Sequence, residues 1–255
     1  MRFGVCGGPD VAAVAAVAGY DYFEWSVGDC LKPLDGQAAF DAALAQVKAA
    51  PIPCEALNCF VPANLKITGN AVDDAALDRY VQTVMERAER AGVSVIVFGS
   101  GGARAIPDGF DPAAAHRQLV TFGRMAAAHA AAHGVVVAVE PLNDKECNVL
   151  TGVAESASYV REVDRPALRL LVDGYHWMRG KGTVAEITAA GPLLVHTHIA
   201  TEANRRAPGA EPCDFAPFFK ALKGAGYQGR MSFEGGLTDR ERELRTALAL
   251  MRSLS

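Results

Sequence analysis

The chain has no C-x-x-C pair, no glycine-rich dinucleotide fingerprint, no charge-run linker and no apolar run of membrane-spanning length. Each absence removes a class of protein. Six scattered cysteines (Cys6, Cys30, Cys54, Cys59, Cys147, Cys213) make neither a dense disulfide framework nor a thiolate metal site, and read as reduced thiols of a cytoplasmic protein. The most apolar stretch, Val11 to Ala18, is far too short to span a bilayer, and M-R-F-G-V-C-G-G starts a strand rather than a leader. Lys and Arg number 25 against 29 Asp and Glu, and the net charge of −4 leaves no basic excess for a nucleic-acid surface. Cys6-Gly7-Gly8-Pro9 is not G-x-G-x-x-G, which disfavours an open doubly wound sheet. With no low-complexity insert, residues 1–255 read as one domain. Half of them are hydrophobic and 21% charged, enough for a large core.

What is present is a regular alternation. Strand patterns at 2–6, 20–25, 54–60, 93–98, 135–139, 168–173, 193–199 and 230–234 alternate with helical patterns at 10–18, 37–49, 75–91, 112–132, 152–162, 184–190, 214–225 and 239–253. Asp73 and Asp74 suit a helix cap, and Asp111-Pro112 places Asp at an N-cap with Pro at the first helical position. Alternation of this kind implies a parallel sheet, and eight units imply an α/β fold closed into a single (β/α)8 TIM barrel.

Chemistry on such a barrel sits at the carboxyl ends of the strands. The fifth strand, V-V-V-A-V, stops in Glu140 and Pro141, and a second acid, Glu146, follows in the loop. The sixth strand ends in Asp173, the seventh carries His196 and His198, and the eighth ends in Glu234. A lone Glu140 is equally well a structural acid paired with an arginine. Four consecutive strands aiming acids or imidazoles at one end are hard to explain as a solvated face. Three converging carboxylates repel unless a cation joins them. Two Glu, one Asp and one His suit one divalent ion, Mn2+ first and Mg2+ or Co2+ next, rather than a structural zinc. The resulting charge of about −1 favours a neutral polyol over an anion bound at the metal.

His198 lies nearer the strand end and is the better ligand; His196, on the same face, reads as a deeper core or supporting residue. His176, in D-G-Y-H, can reach the same pocket, whereas His116, His129 and His133 fall on helices and read as solvent-facing. Trp25, Phe60 and Trp177 each follow a strand end and read as pocket walls, with Trp177 stacking on a sugar face. Gly99-Ser100-Gly101-Gly102-Ala103-Arg104 is either an anion cradle or a tight supporting turn, and the turn is favoured.

V-E-P-L-N-D-K-E-C-N, V-D-G-Y-H, H-T-H-I-A-T-E-A-N-R-R-A-P-G and M-S-F-E-G resemble the xylose-isomerase-like TIM-barrel sugar isomerases and epimerases, most closely the ketose 3-epimerases. That resemblance implies metal ligands at Glu140, Asp173, His198 and Glu234. It also implies substrate contacts from Glu146, His176 and Arg205, an acid/base pair of Glu140 and Glu234, and a homodimer or homotetramer. The segment between His198 and Arg205 is one residue longer than the family spacing, which makes Arg206 a rival for Arg205.

The expected reaction is C3 epimerisation of a ketose through an enediolate, one carboxylate on each side of the sugar. An aldose–ketose or hydroxypyruvate-type isomerase, or a C-glycoside-cleaving lyase, would use the same ligands. A partner-dependent barrel without its own activity is a further alternative. A nuclease of the endonuclease IV type is remote, because it needs more ligands and a basic face.

Overall fold

The computed structural model describes residues 1–255. In chain order it runs β1 (Arg2–Cys6), α1 (Pro9–Ala18), β2 (Tyr22–Ser26), α2 (Val27–Leu31), α3 (Gln37–Ala49), β3 (Cys54–Asn58), α4 (Asp74–Ala91) and β4 (Val95–Phe98). It continues with α5 (Gly101–Arg104), α6 (Pro112–Ala132), β5 (Val136–Val139), α7 (Val153–Val163), β6 (Leu168–Asp173), α8 (Gly174–Arg179) and α9 (Val184–Ala190). The last elements are β7 (Leu194–Ile199), α10 (Ala216–Gly224), β8 (Arg230–Phe233) and α11 (Arg240–Leu254). The strands pair in sequence order and β8 closes in parallel on β1, giving a complete eight-stranded barrel. The expected (β/α)8 architecture is the one observed.

Local chemistry explains the long helices. Asp73 and Asp111 cap α4 and α6 with their carboxylates, and Thr183 with Glu186 forms a reciprocal capping box on α9. Gly92 stops α4 in the left-handed conformation. The third strand stops at Asn58 rather than at residue 60, because Cys59 has φ 54° and breaks the extended run. Three short helices, α2, α5 and α8, follow strand ends that the sequence pattern leaves as loops.

Sixty-six buried residues form one apolar cluster between the strands and their helices, while a separate cluster of five (Ala56, Val95, Val97, Ala138, Leu171) lies apart from it. That division leaves much of the barrel interior to polar groups. At the bottom, Glu55 meets Arg230 at 2.6 Å and Arg2 at 2.5 Å. Above them the ring of Tyr22 takes the space beside Gly4, where a Cβ would come within 2.3 Å of it. The Tyr22 hydroxyl then bonds Ser232 at 2.9 Å. Register irregularities fall immediately before Glu24 in β2 and before Leu171 in β6. Such irregularities re-aim the side chains that follow.

Candidate metal centre and cleft

The carboxyl ends of β5 to β8 bring Glu140, Asp173, His198 and Glu234 together, with one ligand atom from each lying within 4.8 Å of the others. Each arrives by a different local device. Glu140 leaves β5 with its amide bonded to the Phe98 carbonyl, and Arg104 holds its own carbonyl at 2.8 Å. Asp173 caps α8, one oxygen accepting the Tyr175 amide at 2.7 Å, which leaves its second oxygen for the cleft. His198 pairs in register with Asp173 on β6 and Ser232 on β8. Glu234 is bonded from both sides, by Asn58 Nδ2 at 2.9 Å and Arg205 at 2.5 Å.

Three of the converging atoms, Glu140 Oε1, Asp173 Oδ2 and His198 Nδ1, are buried without a hydrogen-bond partner. Buried polar atoms are otherwise nearly always paired, so three orphans facing one point fit a cation. His198 Nδ1 lies 3.3 Å from both Glu140 Oε1 and Glu234 Oε2. Burial pushes the Asp173 carboxyl up, and the Glu140 carboxylate adds to this, to about 7. Burial would also raise Glu234, but the His198 imidazole outweighs it and holds the acid at about 2. Burial works against a charged His198, yet Glu24 and Glu234 raise it well above the usual histidine range.

A cleft of about 870 Å3 opens above this centre, with Glu140, Glu146, His176, Arg205, Glu234 and Asn58 on its wall. His176 Nδ1 accepts the Asn143 amide at 3.1 Å, so the ring proton sits on Nε2. That Nε2 is buried and unpartnered, 3.7 Å from Asp173 and 3.9 Å from Glu146. Burial depresses His176 to about 4, which keeps the ring neutral. Asn143 also donates to Glu146 at 2.8 Å, fixing the second acid of the opening loop. Between the two rival arginines the geometry is decisive. Arg205, at φ 51°, reaches Glu234, Asp173 and Glu146, whereas Arg206 turns away to Glu243 and Thr238.

Several sequence expectations need correction. Phe60 is completely buried among Tyr80, Phe98 and Phe122 and is core, not cleft wall. Trp25 lies against Gly8, and Trp177 packs on Phe218 with its indole bonded to the Thr183 carbonyl; neither lines the large cleft. Trp177 borders a smaller cavity behind His176 rather than the main cleft. Of the helix histidines, His116 is exposed, but His129 and His133 are half-buried, and all three contact an acid on a neighbouring helix. G-S-G-G-A-R holds the helical turn α5, and Arg104 is completely buried with bonds to the carbonyls of Phe98, Glu140 and Leu150. Here the structure agrees with the sequence pattern, which favours a supporting turn.

A further buried acid, behind this centre, is Glu24, to which the sequence pattern assigns no role in the site. It is completely buried on β2 and accepts from His196 Nε2 at 2.7 Å, His198 Nε2 at 2.9 Å and Ser232 Oγ at 2.7 Å. Burial alone would raise its acid; the two imidazoles overcome that and hold it well below the carboxylate range. The signal in the sequence was an acid inside the apolar strand Y-F-E-W-S.

A family model described as xylose isomerase-like TIM barrel matches residues 12–254. The chain belongs to that family. Among relatives of this xylose isomerase-like barrel, an L-ribulose 3-epimerase from Methylomonas sp. is 36% identical over 107 residues, 42% of this chain and 37% of that protein. A 3-dehydro-D-guloside 4-epimerase from Escherichia coli is 32% identical over 127 residues, 49% of this chain and 48% of that protein. The matched stretches thus span between about a third and a half of these relatives. Among solved structures, a D-allulose 3-epimerase from Methylomonas sp. bound to D-allulose superposes with TM-score 0.84 at 23% identity, covering 100% of this chain and 97% of that one. At that identity the likeness is one of fold. No helix of the chain is long and apolar enough to cross a membrane.

Proposed function

We propose that this protein is a divalent-metal-dependent sugar epimerase acting at C3 of an unphosphorylated ketose. The observation that carries the reading is the set of three unpartnered buried ligand atoms beside Glu234, roofed by Glu146, His176 and Arg205. Glu140, Asp173, His198 and Glu234 would hold the ion; three carboxylates and one imidazole suit Mn2+, then Mg2+ or Co2+. A cation held there supplies positive charge where negative charge develops on adjacent substrate oxygens.

The chain's own groups do the rest. Glu140 and Glu234 come from β5 and β8, three strands apart around the mouth, and so can address opposite faces of a sugar between them. One removes the C3 proton and the other returns a proton to the opposite face, which inverts the centre. His176 offers its Nε2–H to a substrate oxygen, and as a neutral ring it neither adds charge nor competes for the ion. Glu146 accepts from a sugar hydroxyl, while Arg205 steadies Glu234 and donates to the carbonyl side. The charged groups lining the cleft are Asp29, Asp35, Glu140, Glu146 and Glu234 against Arg205. That imbalance repels phosphorylated or carboxylated sugars and favours neutral polyols.

A second reading has a specific observation behind it. A cleft of about 870 Å3 is near the upper end of small-ligand sites and is larger than a monosaccharide needs. A ketoglycoside, the class named for the Escherichia coli relative, would fill more of it. The test is a panel of free ketoses, phosphoketoses and ketoglycosides with Mn2+ in D2O, followed by NMR. Deuterium entering C3 of a free ketose with inversion supports the first reading; exchange confined to glycosides supports the second. Label at C1 or C2 with an aldose product would replace both with an isomerase. Glu140→Gln and Glu234→Gln should each lower exchange by about 100-fold or more. Near-wild-type exchange in either variant removes that residue from the pair.

A further inference from the structure

We propose that Glu24 is the positioning residue that makes His198 a metal ligand, by fixing which ring nitrogen carries the proton. The inference rests on the divalent-metal reading above. Glu24 itself touches neither the cleft nor its lining residues' open faces; it is buried below them, with no exposed surface.

The hydrogen bonds have a fixed direction. An ionised carboxylate only accepts, so each partner of Glu24 must bring the proton. Oε1 faces His198 Nε2 at 2.9 Å, and Oε2 faces His196 Nε2 at 2.7 Å and Ser232 Oγ at 2.7 Å. Ser232, having given its proton to Glu24, can take the one from Tyr22 at 2.9 Å. Four side chains from β2, β7 and β8 are thus locked into one proton arrangement. With one His198 proton held on Nε2, Nδ1 is the nitrogen left to give up its proton to a divalent ion, and it is the atom that faces Glu140 and Glu234. A carboxylate behind a ligating imidazole also raises its basicity toward the ion and sets the ring's orientation.

His196 acquires a reason in the same arrangement. It sits two residues before His198 on the same face, and its bond to the second oxygen of Glu24 keeps the carboxylate from rotating away. A purely structural role would need only that the buried polar groups be mutually satisfied. Glu24→Gln is nearly isosteric and separates the two ideas. Its amide keeps one oxygen and puts an NH2 donor in place of the other, so one of the two imidazoles loses its acceptor. In either orientation the negative charge behind His198 is lost, and where the NH2 faces His198 the ring proton moves to Nδ1, where a ligand atom is required.

The experiment measures Mn2+ affinity of chelator-stripped protein by competition with a chromophoric chelator, with circular dichroism confirming the fold of each variant. Glu24→Gln should bind 10- to 100-fold more weakly than wild type. A folded Glu24→Gln with wild-type affinity overturns the inference and leaves the metal reading standing. Wild type that binds no divalent ion overturns both. Should Glu24→Gln not fold, 15N-histidine NMR of the Mg2+-loaded wild type decides. The inference expects His198 protonated on Nε2 and bare on Nδ1, and the opposite tautomer overturns it.

Discussion

Gly99 shows how closely the acid of β5 is fitted. A Cβ at that position would lie 2.3 Å from Glu140 Oε2, so even alanine must push the carboxylate aside. Displacement of a reacting group by about an ångström costs on the order of 100-fold in rate. Gly99→Ala should therefore lower kcat by about 10- to 100-fold with little change in Tm, read from steady-state kinetics and a thermal melt on one preparation. At this scale the sequence was most legible where strand order alone decides the outcome. Glu140, Asp173, His198 and Glu234 each end, or nearly end, a strand, and closing the barrel brings them together without any further information. Glu24 was not legible, because its partners lie on β7 and β8 and meet it only across the barrel interior. Trp177 misled for a related reason. It stands one residue after His176 on α8, and one residue of helix is a rotation of about 100°, so His176 reaches the large cleft while Trp177 is turned onto Phe218 and borders only the smaller cavity that both residues line.

Loops and short elements set the second level of organisation, and there the arginines divide the work. The loop after β7 holds Arg205 in place through Glu211, which accepts from Thr201 and from both nitrogens of Asn204. Within H-I-A-T-E-A-N-R the backbone of Arg205 is left-handed, and its neighbour Arg206 is turned outward to Glu243. Spacing alone could not show this, because it counts residues and not backbone direction. Arg205→Ala should raise KM and lower kcat together, by about tenfold or more in kcat/KM, while Arg206→Ala should cost stability and leave kcat/KM within about threefold. The turn α5 has a different load. Arg104 carries the carbonyl ends of β4 and β5 and has no acid partner; its charge is met by three carbonyls and the face of Phe98. Lysine cannot reach all three, and each buried carbonyl left bare costs roughly 1–3 kcal/mol. Arg104→Lys should lose roughly 2–4 kcal/mol in urea unfolding, with reduced activity because Glu140 loses its backbone anchor.

For the whole molecule, the consequence of building a barrel interior from acids and imidazoles is that stability, pH and the ion are linked. Asp173 is the sensitive member. Its acid is raised from an ordinary 3.8 to about 7 by burial and by Glu140, so the folded chain keeps a proton that the unfolded chain has released. The stabilisation from that proton is fully present below about pH 4 and is lost as pH rises toward 7. A divalent ion at the same place competes with the proton and reverses the dependence. At pH 7.5 the carboxylate is available, and an ion at 100 times its Kd adds about 2.7 kcal/mol. For a chain of this length that corresponds to a Tm increase of roughly 5–10 °C. At pH 5.5 the proton must first be displaced, so the same Mn2+ concentration should give a smaller increase. Comparing each metal-loaded melt with a metal-free control at the same pH isolates the ion's own contribution. Asp173→Asn should abolish most of the ion-dependent increase at either pH. A Tm increase equal at pH 5.5 and 7.5 in wild type, or retained in Asp173→Asn, would place the ion away from the four strand ends.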